Sequence, residues 1–127
     1  MVERFVAAIN DRDVAQLSAL MSDDHRFVDA TGAVHEGRAT MTEGWKQYFA
    51  SFPVYRIDAE STVASGSAVM IFGWASGTAR ADPGGGRGQS WRFPAAWKGI
   101  VRGGRVAEWH VCGDIEPMIR SMGLNRW

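Results

Sequence analysis

The stretch Gln89–Asp114, QSWRFPAAWKGIVRGGRVAEWHVCGD, most constrains what this chain can fold into. Two runs of strand-forming residues flank Arg102-Gly103-Gly104-Arg105, and the glycines supply the positive φ that a tight hairpin needs. On the first arm Trp91, Phe93, Ala95 and Trp97 share one face by the period of two, with Arg92, Pro94, Ala96 and Lys98 opposite. On the second arm Trp109, Val111 and Gly113 alternate with Glu108, His110 and Cys112. One face of the hairpin is therefore aromatic and must be covered. Helices earlier in the chain are the available cover.

Met1–Asn10 carries a helical stripe of Phe5, Val6 and Ile9. Asp13 can cap a second helix, with Gln16 three residues on and Val14, Leu17, Leu20 and Met21 as its apolar face. Ser22-Asp23-Asp24 reads as its stop. His25–Ala30 then alternates as a short strand, with His25, Phe27 and Asp29 on one face. Thr31-Gly32 is a turn and Ala33–Glu36 a second short strand. From Arg38 to Phe52 the residues Met41, Trp45, Tyr48, Phe49 and Phe52 fall on one helical face, and Pro53 ends it. Val54–Ala64 and Ala68–Thr78 read as strands around Ser65-Gly66-Ser67, and in the second of them Ala68, Met70, Phe72 and Trp74 share a face. Asp114 can cap a final helix, Ile115–Met122, with Pro117 in its first turn and Gly123 at its end. Helices segregated from consecutive strands mean an α+β fold. A curved antiparallel sheet wrapped around a long helix leaves a cone with one apolar cavity.

The segment Arg80–Gly88, RADPGGGRG, invites a phosphate-loop reading. It has no Gly-Lys-Ser/Thr ending and joins two strands instead of opening a helix, so a flexible hairpin tip is expected. With 127 residues the chain makes one domain. A formal net charge of zero removes the electrostatic basis for binding a nucleic-acid backbone. The single cysteine, Cys112, excludes an internal disulfide and gives no sign of secretion. No apolar run is long enough for a membrane and the N-terminus is not a signal peptide, so a cytoplasmic protein is expected. His25, His35 and His110 show no ligand-like spacing and Cys112 has no partner, so neither metal nor cofactor is expected. Six tryptophans mean either a Trp-rich core or the wall of a site for an apolar small-molecule ligand.

Two stretches carry a family resemblance. Leu20–Arg38, LMSDDHRFVDATGAVHEGR, and Phe93–Pro117, FPAAWKGIVRGGRVAEWHVCGDIEP, together with the element order, resemble the SnoaL-like branch of the nuclear-transport-factor-2-like superfamily. The resemblance spans nearly the whole chain. It implies a cone-shaped pocket and a homodimer through the outer sheet face. It also implies a pocket lining of Phe27, Asp29, Trp45, Met70, Phe72, Trp74, Phe93, Ala95, Trp97, Trp109 and Val111. Ketosteroid isomerases of this superfamily place a general-base Asp at the end of the first strand, where Asp29 falls. Their oxyanion donors correspond to Phe5 and Trp97 here. The Arg and Asp of limonene-type epoxide hydrolases correspond to Phe72 and Trp74, which excludes that chemistry. Polyketide cyclases of the SnoaL type need an acid/base group in an apolar pocket, and that fits best.

Asp29 is the leading candidate for chemistry. Pointed into an aromatic cavity, it is expected to have a raised pKa and to take a proton from carbon next to a carbonyl. The competing role is a side-chain cap on the Thr31-Gly32 turn. Asp114 is a second acid, better explained as a helix cap. His35 could reach the pocket mouth as a proton shuttle, whereas His110 lies opposite Trp109 and away from the pocket. Arg80, Arg87 and Arg92 either attract an acidic substituent or stay solvated. Two functions remain open at this point, beside the blander reading of a structural dimer with a collapsed pocket. One is a cofactor-independent lyase, isomerase or cyclase for an apolar aromatic or polycyclic carbonyl compound. The other is a non-catalytic binder of a hydrophobic ligand.

Overall fold

A computed structural model describes residues 1–81 and 88–122. In chain order the elements are α1 (Val2–Asn10), α2 (Val14–Leu20), β1 (Met21–Val28), β2 (Val34–Glu36), α3 (Arg38–Ser51), β3 (Val54–Ser65), β4 (Ala68–Thr78), β5 (Ser90–Arg102), β6 (Arg105–Gly113) and α4 (Glu116–Ser121). The strands form one six-stranded sheet in the order β2-β1-β6-β5-β4-β3. The aromatic hairpin is β5–β6, turning through Gly103 and Gly104 at φ of 58° and 74°. The expected flexible tip lies largely at residues 82–87, and Arg87 and Gly123 fall outside the described residues.

Cross-strand partners point to the same side of a sheet, so the register decides what faces the helices. Trp97 pairs with Val111 across β5–β6. On β5's other side, Trp91, Phe93, Ala95 and Trp97 pair with Gly77, Ala75, Gly73 and Ile71 of β4. These eight residues share the concave face, which α1, α2 and α3 cover. Phe5, Ile9 and Leu17 from the helices and Trp97, Trp109 and Ile57 from the sheet are fully buried there. Phe5 meets Trp109 with ring centroids 5.1 Å apart.

Three local devices hold the helices in place. The Asp13 carboxylate accepts the Gln16 backbone N–H at 3.0 Å, capping α2 as expected. The Asn10 amide bonds both ways to the Ile57 backbone, at 3.0 and 2.8 Å, and ties α1 to β3. The Arg12 guanidinium donates to the carbonyls of Phe49 and Phe52, both at 2.9 Å, and closes the end of α3.

Three expectations need correction. The sheet is mixed, because β1 runs parallel to β6. β1 also starts at Met21 instead of His25. Met21 pairs with Val106, and Ser22, Asp23 and Asp24 are carried along the strand edge. The third correction concerns β4. Met70, Phe72 and Trp74 point to the outer face, and Phe72 is 52% exposed. The cause is volume. The inward aromatics of β5 and the helices already fill the concave side, so β4 turns its small residues inward. A Cβ on Gly77 would lie 2.7 Å from Trp91 Cζ2.

Candidate functional site

β1, β2, α3, β3, β5, β6 and α4 contribute to the lining of a cavity of about 340 Å³. Its walls are mostly aromatic. β1 brings Phe27, α3 brings Trp45, β5 brings Phe93 and Trp97, and β6 brings Trp109 and Val111, all residues the family resemblance implied for the lining. Phe27 pairs with Trp109 in the parallel register and with His35 across β1–β2, which sets all three on the same side. Ala95 is buried but lies outside the lining. Met70, Phe72 and Trp74 do not reach the cavity. Trp74 instead donates its indole N–H to Glu60 at 2.9 Å, and Arg92 stacks over its ring at 3.7 Å.

Asp29 and His35 stand together in the lining, with Asp29 Oδ2 3.0 Å from His35 Nε2. The turn after β1 fixes the carboxylate. Its Oδ1 accepts the Thr31 N–H at 2.9 Å, the Thr31 hydroxyl at 2.5 Å and the Ala33 N–H at 3.1 Å. Asp29 thus performs the turn-capping role and faces the cavity at once. Burial pushes its carboxyl upward, but the donors from His35, Thr31 and Ala33 outweigh that and hold it below the usual carboxylate range. The expected upward shift is therefore corrected. A carboxylate this well supplied with donors stays ionised.

Asp114 is exposed and outside the cavity lining, and its Oδ1 accepts the Glu116 backbone N–H at 3.1 Å at the start of α4. His110 lies on the outer face beside Cys112, as its parity requires. His25 is fully buried with Nδ1 2.7 Å from the Val106 carbonyl oxygen. On the outer face Glu108 joins Arg26 at 3.1 Å and Lys98 at 3.0 Å. Among the described residues no group of three or more His, Cys, Asp or Glu is placed to hold a metal. Nor is any described helix long and apolar enough to cross a membrane.

The sequence reading missed the polar members of the inner wall. Tyr48 of α3 and Tyr55 of β3 both line the cavity, their rings perpendicular and their centroids 5.0 Å apart. Tyr48 Oη donates to Met118 Sδ at 3.4 Å. Two tyrosines seven residues apart, on either side of a helix-ending proline, were the available signal.

A curved mixed sheet folded over helices around an aromatic cavity defines the cone-shaped α+β class of the nuclear-transport-factor-2-like superfamily. Within it, the SnoaL-like domain model matches residues 2–109, and the chain belongs to that family. No curated protein matches the chain at a significant level. Among solved structures, it is similar to a hypothetical protein with a ketosteroid isomerase-like fold from Catenulispora acidiphila, at 20% identity and a TM-score of 0.82 over 98% of this chain and 92% of that one. A protein from Shewanella denitrificans described as a SnoaL-like polyketide cyclase gives 14% identity and a TM-score of 0.83 over 96% and 93%. An LEH-like epoxide hydrolase from M. tuberculosis gives 17% and 0.78 over 94% and 84%. At these identities the likeness shows the fold alone, which hosts several reactions.

Proposed function

We propose that the protein is a cofactor-independent proton-transfer enzyme, a lyase, isomerase or cyclase acting on an apolar aromatic or polycyclic carbonyl compound. The observation that carries this reading is the Asp29–His35 pair, 3.0 Å apart, in the wall of a largely aromatic cavity. Asp29, read from the sequence as the base itself, is better suited to orienting one. Its two oxygens are committed to donors and its basicity is reduced. With His35 Nε2–H donating to Asp29, the proton sits on that nitrogen and Nδ1 keeps its lone pair. An imidazole in that tautomer accepts a proton from carbon next to a carbonyl and passes it on. The ionised Asp29 stabilises the imidazolium that forms. The aromatic walls hold a flat substrate.

The test needs no knowledge of the natural substrate. A panel of aryl ketones and aryl β-diketones is incubated in D2O, and loss of the α-proton signal is followed by NMR. Wild-type protein is expected to exchange α-protons faster than buffer. His35→Ala and Asp29→Asn should lower that rate by about two orders of magnitude, with ligand affinity, read from tryptophan quenching, little changed. Tight quenching without any exchange across the panel would sink the enzyme reading in favour of a ligand-binding protein. For the assembled protein, the reading is a homodimer in which a second copy covers the outer sheet face. Val63, 59% exposed, pairs there with Met70 beside the exposed Phe72.

A further inference from the structure

One of the described glycines has no local reason to be a glycine. Gly44 stands in the middle of α3, Arg38–Ser51, where glycine costs stability relative to alanine because it frees the unfolded backbone. Two physical needs explain such a residue: a positive φ, or a neighbour so close that no Cβ fits. Every other described glycine meets one of them. Either its φ lies between 58° and 100°, or an atom stands within 3.0 Å of the place its Cβ would take. Gly44 has no positive φ. The atoms nearest to a Cβ there are Met41 Cε at 3.7 Å and Met41 Sδ at 3.8 Å, which are ordinary contact distances. An alanine therefore fits the protein as it stands.

What adjoins Gly44 is the cavity. Met41, Gly44, Trp45 and Tyr48 all line it, at the i, i+3, i+4 and i+7 spacing of one helical face. Three of them carry large side chains and Gly44 carries none, which leaves a notch in the α3 wall. A notch of that size counts here, because about 340 Å³ is near the lower end of the roughly 300–1,000 Å³ typical of small-molecule sites. α3 follows directly on β2, which carries His35. The Phe27 ring links the two walls, its centroid 6.2 Å from that of Trp45 and 5.8 Å from that of His35. We infer that Gly44 is a specificity-determining position: part of the substrate's body lies against the bare α3 backbone there, and the residue sets the largest body the cavity holds beside His35. The inference rests on the cavity being the substrate site of the reading above, and it assigns what limits that substrate. A side chain at position 44 leaves the free fold intact and collides only with a ligand that uses the notch, since a packed wall responds to a single methylene.

The probes are acetophenone, 2-acetylnaphthalene and 2-acetylanthracene, which carry one, two and three rings on the same acetyl group. Tryptophan quenching gives Kd for each. Wild type is expected to bind the three-ring ketone most tightly. Gly44→Ala should weaken that ketone by about tenfold and leave acetophenone unchanged. Gly44→Leu, which fills the notch, should make acetophenone the best-bound of the three. Urea unfolding of the ligand-free proteins separates this from a structural role, because Gly44→Ala should unfold at or above the wild-type midpoint. A lowered midpoint in Gly44→Ala overturns the inference, since the glycine would then serve packing. So do equal losses for all three ketones, an unchanged order in Gly44→Leu, or a wild type that binds none of them. Affinity is read apart from catalysis. Ring-dependent loss without any α-proton exchange would therefore keep the size limit and remove the proton-transfer reading.

Discussion

His25 should make this protein acid-sensitive in a defined window. The ring is fully buried and lies 5.9 Å, centroid to centroid, from Phe5. Its Nδ1–H donates to the Val106 carbonyl at 2.7 Å, and Nε2 has no partner among the described residues. Protonation would place a second N–H, and a charge, where nothing accepts it. Burial accordingly lowers the pKa below 6.5, against smaller opposing contributions from the Val106 carbonyl and the charges of Asp24 and Glu108. A depressed folded pKa means that the unfolded chain takes up the proton first. The stabilisation is complete above about pH 6.5 and is lost as pH falls below it, down to the folded pKa. Each pH unit inside that window removes about 1.4 kcal/mol, so the loss from His25 between pH 7.5 and 5.5 is at most about 1.4 kcal/mol. The assay is urea unfolding followed by tryptophan fluorescence at both pH values, for wild type and His25→Gln. Wild type should lose stability on acidification, the share from His25 staying within that bound, and the variant, weaker at both values, should lose distinctly less. Equal losses in the two proteins would refute the reasoning, because the drop would then come from groups elsewhere.

Gly77→Ala should destabilise the fold by about 1–3 kcal/mol. Its Cβ would meet Val54 O at 2.5 Å and Trp91 Cζ2 at 2.7 Å, and a wild-type urea midpoint would disprove that account of β4. Phe72→Asp should shift sedimentation toward monomer with the circular dichroism spectrum unchanged, since Phe72 is 52% exposed on the outer face. A monomeric wild type, or an unaltered sedimentation profile in the variant, would sink the proposed homodimer through that face.

The parts of the fold that were legible in the sequence are those set by neighbours in sequence. The β5–β6 hairpin carries its own turn glycines and its own alternation, and its inward aromatics were assigned correctly. α3 shows its buried stripe through Met41, Trp45 and Phe49. The β4 parity failed because alternation tells which residues share a face, not which face is inward. The family resemblance was taken as the guide to the inward face, yet the residues facing Trp91 and Phe93 had to be Gly77 and Ala75 for space. Asp29 was placed correctly, but its pKa was misjudged. Desolvation can be guessed from an apolar neighbourhood, whereas donors from Thr31, Ala33 and His35 depend on how the turn closes. Tyr48 was counted only as part of an apolar helix face, and Tyr55 was not singled out. Their meeting depends on how β3 leaves α3.

The parallel seam between β1 and β6 imposes an order of assembly. β3, β4, β5 and β6 follow one another as a meander, each strand beside its predecessor. β1 pairs with a strand far along the chain, and the His25–Val106 bond across that seam spans 81 residues. During synthesis β1 leaves the ribosome long before its partner exists. Until β6 emerges, the edge of β1 and the aromatic side of the helices have no native cover on that flank. The loop-closure cost of the seam is met only after the meander is available to receive it. The wall that carries Asp29 and His35 is therefore the last to be set in place.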